Sequence, residues 1–331
     1  MTVLYVYDGL GFSFRKVMSL LEKGLREIGY QRIDKVDGHT AFQVPKNFKT
    51  VMITDIILAA RWGWITRFLP YTDKMVLWCD TPLSLRHLEP YADLINERTC
   101  NYVTLPCYIN IFRLYGIKVD GYIPRPIDID TANEAVEASC RDIRKEYGDY
   151  IITVGGDQIL APPRYPRKGL DMYDRLCEWL KRRYGYMCLA VTNWVYFKHV
   201  DHVIKFGSLS EFDLLRLVKC AKLFVWTSRG EGFGMPPIEA MAVGQLVVAA
   251  DNPTNELIVG VKFPIDTVEE VYMPEIGMYY YAYLYRFEEL RDAVDYALNM
   301  PEDEKVFITI RAMREARKFH PRYVALAVSQ L

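Results

Sequence analysis

The sequence predicts an α/β protein made of two Rossmann-like, doubly wound domains facing a cleft. Short apolar, β-prone runs alternate with helical patterns along most of the 331 residues. Such alternation favours parallel sheets covered by helices on both faces. Tyr122–Ile123 leads into Pro124-Arg-Pro-Ile-Asp128, a proline-punctuated join between two such series. Apolar residues make up 51% of the chain, enough to core two domains of ordinary size.

In the first series, Val3–Tyr7 is the opening strand and Phe14–Ile28 a helix that ends near Gly29. Thr50–Ile57 and Lys74–Cys79 are apolar runs bounded by polar residues, the pattern of buried strands. Ser84–Asn96 reads as a helix or an irregular segment, Tyr102–Thr104 as a strand and Ile109–Tyr115 as a short helix. A long charged helix is expected over Thr131–Tyr147. The second series has strands at Tyr150–Val154, Met187–Val191, Val203–Lys205, Leu223–Thr227 and Leu246–Ala250. Helices are expected at Leu170–Arg183, Glu211–Lys219, Pro236–Ala242, Phe287–Asn299 and Glu302–Phe319. Met278–Tyr285 reads as a strand used for packing rather than as an aromatic stacking platform.

Several function classes are disfavoured. The net charge of −1 supplies no global field for nucleic acid. No apolar run reaches the 18 or so residues that a membrane helix requires. The N-terminus lacks a basic n-region and reads as a strand rather than a signal peptide. Seven scattered cysteines, with no C-x-x-C pair, fit reduced thiols in a cytosolic protein better than disulfides or a zinc site. Asp128-Ile-Asp130 has metal-binding spacing but lies in the hinge, so metal independence is expected. Ala60–Tyr71 mixes arginine with aromatics; a helix packed under the first domain is the favoured reading, and an acceptor-sugar or peripheral membrane contact the alternative.

The chemistry concentrates in Ser228-Arg-Gly-Glu-Gly-Phe-Gly-Met-Pro-Pro-Ile-Glu239, at the carboxyl end of an apolar strand. Ligands of open parallel sheets bind there. Glycines admit backbone amides close to a phosphate, and a helix N-terminus adds free N–H groups and positive partial charge. Proline in the first helical turn loses no hydrogen bond. Glu231 in the loop and Glu239 in the helix reach different parts of one ligand, and carboxylates accept well from sugar hydroxyls. Glu239 taken alone also fits plain helix capping.

Trp226–Ala250 closely resembles the E-x7-E region of GT-B retaining glycosyltransferases, family four: EGFG, P-x-E-A-M-A, a following glycine and a Val-Val strand are all in place. Gly207–Ala221, Tyr150–Gly156 with Arg167–Asp171, and Tyr122–Asp128 resemble flanking parts of that family. The first hundred residues match in layout only.

The resemblance implies transfer of a hexosyl group from a nucleoside diphosphate sugar, with no other cofactor, to a hydroxyl acceptor on a glycan, lipid or protein. Nucleic acid is not an expected partner, and the location is cytoplasmic or peripheral at a membrane. By similarity Glu231 meets the donor hexose and Glu239 the ribose. The amides of Phe233, Gly234 and Met235 lie near the diphosphate, and Lys168 neutralises the leaving group. Gly156 and Asp157 stand where the family carries an arginine, so Arg164 or Arg167 is the substitute. Gly11, after the first strand, belongs to a glycine loop. Cys79 stands at the position of a usual histidine, beside Asp80, which would line the cleft.

The expected domains are 1–130 (acceptor side), 131–305 (nucleotide-sugar side) and a C-terminal helix, 306–331, packing back on the first. A Rossmann-fold epimerase or dehydrogenase is a competing class, weakened because Gly9-x-Gly11 lacks its third glycine. A non-catalytic nucleotide-sugar binder is another, consistent with the altered arginine and histidine positions.

Overall fold

A computed structural model describes the chain except for residues 1–2, 10–11, 41–47, 55–62, 80–82, 156–165, 195 and 274–276. It divides into two units, Met1–Ile127 with Phe319–Leu331, and Asp128–Lys318.

The first unit is built on β1 (Val3–Tyr7), β2 (Asp34–Asp37), β3 (Phe48–Ile53), β4 (Thr72–Cys79), β5 (Thr99–Val103) and β6 (Gly121–Tyr122), in the order β2-β1-β3-β4-β5-β6. All its recorded pairings are parallel. The short β2 escaped the sequence reading because Asp-Lys-Val-Asp carries no apolar run. Helix Phe12–Glu27 packs against Pro321–Ser329. Gly24 permits that approach, since a Cβ there would lie 2.2 Å from the Pro321 carbonyl oxygen. The terminal segment is also tied by Ile127 N–H donating to Phe319 O at 2.8 Å and by Lys74 Nζ donating to Leu331 O at 2.7 Å.

The second unit holds β7 (Tyr150–Val154), β8 (Met187–Val191), β9 (His202–Ile204), β10 (Leu223–Trp226), β11 (Val247–Ala250) and β12 (Val261–Phe263), ordered β12-β11-β10-β7-β8-β9. Its recorded pairings too are parallel. The chain winds outward in both directions from β7 and β10, so their carboxyl ends flank the switch point where open α/β sheets bind ligands. Helix Leu170–Tyr184 buries Leu170, Tyr173, Leu176, Cys177 and Leu180 against this sheet, a helical stripe at i, i+3, i+4 spacing. Burying each such leucine stabilises by roughly 1.5–3 kcal/mol. An antiparallel hairpin, β13 (Thr267–Met273) with β14 (Met278–Leu284), follows β12. Among the described residues, no helix is long and apolar enough to cross a membrane.

Two expectations require correction. The helix expected over Thr131–Tyr147 is two helices, Ile129–Glu137 and Arg141–Tyr147. At the break, Arg216 donates to Ser139 O (2.9 and 2.7 Å) and Lys219 to Ala138 O (2.6 Å), so side chains of helix Glu211–Cys220 satisfy carbonyls that a continuous helix would have used. The cysteines are not all reduced: Cys140 and Cys220 form a disulfide with Cα atoms 5.5 Å apart. The sequence hides this pair because 80 residues separate them; only the packing of these helices brings them together. The other five thiols are free, and the argument for a cytosolic setting from reduced cysteines falls away.

Asp128 caps helix Ile129–Glu137, its carboxylate accepting from Thr131 Oγ1 at 2.8 Å. That capping role accounts for one carboxylate of the Asp128-Ile-Asp130 spacing.

Candidate functional site

The loops that follow β7 and β10 meet at the switch point of the second unit. Leu223 and Phe224 of β10 pair with Ile151 and Ile152 of β7, which places Thr227–Gly234 beside Arg167–Gly169. The two loops are sewn together through their backbones. Arg229 N–H donates to Arg167 O at 2.7 Å, Thr227 Oγ1 to Lys168 O at 3.0 Å, and Ser228 Oγ to Arg167 O at 3.2 Å. Gly169 sits at φ 63°, and a Cβ there would lie 1.9 Å from Thr227 O. Both the left-handed backbone and the close approach therefore require glycine.

Glu231 occupies the centre of this junction and is 6% exposed. Its Oε1 accepts from Lys168 Nζ at 2.6 Å and from Ser228 Oγ, and its Oε2 lies 3.3 Å from Arg167 NH1. Arg167 also donates to Gly230 O at 2.9 Å. Burial alone would raise the Glu231 pKa. The charges of Lys168 and Arg167 and the hydrogen bonds from Lys168 and Ser228 outweigh it and hold the carboxyl below its ordinary value. Glu231 is thus an anion at neutral pH, set between two cations. Lys168 further rests over the Trp226 ring, 5.4 Å from its centroid.

A second layer braces the loop from below. Buried Arg229 forms a bidentate pair with Asp171, both contacts at 2.8 Å, and donates to Pro166 O at 2.8 Å. Tyr285 Oη donates to Thr227 O at 2.6 Å. Strand β14 lies along the loop, with Tyr283 N–H donating to Arg229 O at 2.7 Å. Ser228, Asp171, Tyr283 and Tyr285 fall within segments the sequence marks, but nothing there gives any of them a role. Their contribution is to position the loop, and no local motif advertises it.

Glu231 is followed by Gly234 at φ 77°, which turns the chain into helix Met235–Ala242 with Pro236 and Pro237 in its first turn. Glu239 lies one turn further in, the fifth residue of the helix, and is 5% exposed. Phe233 and Met235 are also buried. The structure brings Glu231, Lys168 and Arg167 into one cluster and places Phe233, Gly234, Met235 and Glu239 in the segment that leaves it. Gly11, Asp80 and Arg164 lie outside the described residues, as do Gly156 and Asp157. Cys79 ends β4, fully buried.

Among the described residues, no group of three or more His, Cys, Asp or Glu side chains is arranged to hold a metal ion. The cluster instead presents cationic side chains and a helix N-terminus, a donor set for anions.

Residues 192–264 match the family described as "Glycosyl transferases group 1". Relatives include "Putative glycosyltransferase 41" of Sulfolobus islandicus filamentous virus, 34% identical over 113 residues, or 34% of this chain and 34% of the relative. "Putative glycosyltransferase ORF330" of Acidianus filamentous virus 2 is 26% identical over 58% of each chain. A 54-residue stretch is 39% identical to "Serotype-specific mannosyltransferase WbdA" of Escherichia coli, 16% of this chain and 7% of that one. Matches to the viral relatives span between 31% and 58% of their length.

Among solved structures, the sucrose-phosphate synthase from Thermosynechococcus elongatus superposes with a TM-score of 0.69 at 13% identity, covering 100% of this chain and 98% of that one. A UDP-forming trehalose-phosphate synthase from Burkholderia xenovorans, in complex with glucose-6-phosphate, gives 0.71 at 10% identity over 99% of both chains. The chain therefore has two Rossmann-like parallel-sheet domains, the fold it shares with these solved structures, and residues 192–264 of its second unit match the glycosyl transferases group 1 family.

Proposed function

We propose that the chain transfers a hexosyl group from a nucleoside diphosphate sugar to a hydroxyl acceptor, with retention at the anomeric carbon and without a metal ion. The carrying observation is the buried, anionic Glu231 held by Lys168 at 2.6 Å and Arg167 at 3.3 Å, on the loop that opens into helix Met235–Ala242. Two cations against one carboxylate leave an excess positive charge at a helix N-terminus, which suits a diphosphate. Negative charge grows on that diphosphate as the glycosidic bond breaks, so Lys168, Arg167 and the amides of Phe233, Gly234 and Met235 stabilise the transition state more than the ground state. Glu239 accepts from the ribose hydroxyls.

An ionised Glu231 carries no proton to donate, which excludes it as general acid. It accepts from hexose hydroxyls and stabilises positive charge developing at the anomeric carbon. The bond from that carbon to the phosphate oxygen breaks, with its electron pair passing to the phosphate. The acceptor oxygen bonds to the same face, and its proton passes to the departing phosphate oxygen.

Glu231→Gln tests this reading. With UDP-glucose, GDP-mannose or ADP-glucose offered as donor, wild type should release nucleoside diphosphate in chelator, and the variant should be at least about a hundredfold slower, the scale of one lost electrostatic contact. Equal rates would remove Glu231 from the chemistry, and a strict Mg²⁺ or Mn²⁺ requirement would end metal independence. A second reading, a nucleotide-sugar binder without turnover, is favoured by buried Cys79 at the strand end where the resemblance places a histidine. Donor binding with no product from any donor would support it.

A further inference from the structure

Lysine is a flexible choice for a charge that must sit at one point. Its stem has many rotamers, and its ammonium lacks the rigid fork of arginine. Yet the Lys168 side chain is only 10% exposed, with its Nζ 2.6 Å from Glu231 Oε1. Glu231 gives that ammonium a charge partner; strand β10 gives it a surface.

Side chains alternate between the faces of a strand. Leu223 and Val225 of β10 join the core that includes helix Leu170–Tyr184, so Phe224 and Trp226 point the other way. Their rings lie 6.3 Å apart and within 21° of parallel. Trp226 ends the strand and is 1% exposed, and Lys168 Nζ lies over its ring, 5.4 Å from the centroid. The next residue, Thr227, donates from Oγ1 to Lys168 O at 3.0 Å. Consecutive residues of one strand end therefore hold the side chain and the backbone of the same lysine.

Hydrogen bonding does not explain the indole. Trp226 Nε1 is buried with no hydrogen-bond partner among the described residues, an arrangement that costs stability. Phenylalanine would supply an apolar ring without that cost. What tryptophan adds is the ring face that attracts cations best, and Lys168 is the cation found at that face.

We propose that Trp226 is a positioning residue for Lys168. Its ring holds the ammonium where the diphosphate of a sugar nucleotide arrives, so Lys168 turns from Glu231 to the phosphate oxygens without leaving the ring. A charge placed in advance needs no rearrangement as the leaving group develops. Trp226 acts through Lys168 rather than on the donor itself. This inference rests on the donor-site reading of the cluster.

A double-mutant cycle tests it, because residues that act through one another are not additive. Wild type, Trp226→Leu, Lys168→Ala and the double variant are compared in kcat/KM for donor turnover and in affinity for UDP, GDP and ADP, below the thermal midpoint of every variant. Trp226→Leu should lower kcat/KM and nucleotide affinity roughly tenfold, the scale of a desolvated cation–ring contact. Trp226→Phe, which keeps a weaker ring face, should lose only about threefold, and it carries the cycle if Trp226→Leu does not fold. In the Lys168→Ala background, either substitution should change both quantities by less than about twofold. Losses that multiply across the cycle, or a Trp226→Leu protein equal to wild type, would overturn the positioning role and leave the donor site standing. Where nucleotide binds without turnover, the affinities decide by the same criterion. A wild type that binds none of the three nucleotides would reject the donor-site reading and this inference with it.

Discussion

The carboxyl ends of the two units' parallel sheets are held together by different chemistry. In the second unit, loops after β7 and β10 meet around ionised Glu231, Lys168 and Arg167, and the bidentate pair of Arg229 with Asp171 braces them. In the first unit, the residues after β1 and β2 hold one another through carboxylates. Asp37 accepts from the N–H groups of Gly9 (3.2 Å) and His39 (3.0 Å), and Asp8 lies 3.1 Å from His39 Nε2. The buried cation there, Arg125, is turned inward: it donates to the carbonyls of Thr54 and Trp78 and stacks on Trp78 at 4.2 Å. Among the described residues, Lys168 and Arg167 surround the proposed donor site in the second unit, whereas Arg125 in the first is engaged in packing. The proposed phosphorylated donor fits the former.

That contrast predicts its own failures. The largest effect should come from Lys168→Ala. It removes a cation from the proposed leaving group and the Glu231 partner held at 2.6 Å, so donor turnover should fall by about 10²–10³. His39→Ala, after β2 at the carboxyl end of the first unit's sheet, should leave donor affinity within about twofold. If the two variants behaved alike in donor titrations and turnover assays, the division of labour would be wrong.

Glycine substitution sharpens the comparison next. Gly169→Ala forces a left-handed residue against the Thr227 carbonyl, which cannot yield, and should destabilise by roughly 3 kcal/mol. Gly9→Ala meets the Asp37 side chain at 2.3 Å, and a side chain can swing away, so it should cost less. Denaturant midpoints of the two variants give the order directly.

Cys140→Ser/Cys220→Ser, or reductant, should lower stability by about 2–4 kcal/mol, given the long loop the bridge closes. An unchanged midpoint in reductant would show that the bridge does not constrain the unfolded chain.

The smallest effect is on pH dependence. The folded pKa of Glu231 is lowered, so its ion pairs contribute stability fully above the unfolded value of about 4.3. That contribution fades as pH falls through the lower folded value. The stability gap between wild type and Glu231→Gln should therefore be constant near neutrality and shrink below about pH 4. A gap that widens on acidification would reverse the assigned direction.

The second unit was the more legible because its site is written in consecutive residues. A strand, a glycine loop, two prolines and Glu239 follow each other over Leu223–Ala242, and local rules place each one. What escaped is what depends on distant partners. Strand β13 was missed because its alternation is diluted by Glu269 and Glu270, and its role appears only once β14 lies against Arg229. Met278–Tyr285 reads as a packing strand and is one as far as Leu284, with Tyr280, Tyr283 and Tyr285 buried and Tyr279 and Tyr281 half-buried. The break at 138–140 and the Cys140–Cys220 bridge share one cause, the packing of helix Glu211–Cys220, which leaves no local trace. In the first unit, apolar runs mark β1, β3, β4 and β5, but the carboxylates of Asp8 and Asp37 act through backbone N–H groups and His39, contacts that no spacing announces.

The central claim, that the second unit's switch point binds the diphosphate and ribose of a sugar nucleotide, is tested most directly by thermal-shift titration of UDP, GDP and ADP. Wild type, Lys168→Ala, Glu239→Ala and His39→Ala would be compared. At least one nucleotide should raise the wild-type midpoint, as ligand affinity for the folded state requires. Lys168→Ala and Glu239→Ala should each weaken that binding about tenfold or more, the scale of a lost charged hydrogen bond, with His39→Ala unchanged. A shift that survives in both second-unit variants, or is lost only in His39→Ala, would contradict the account.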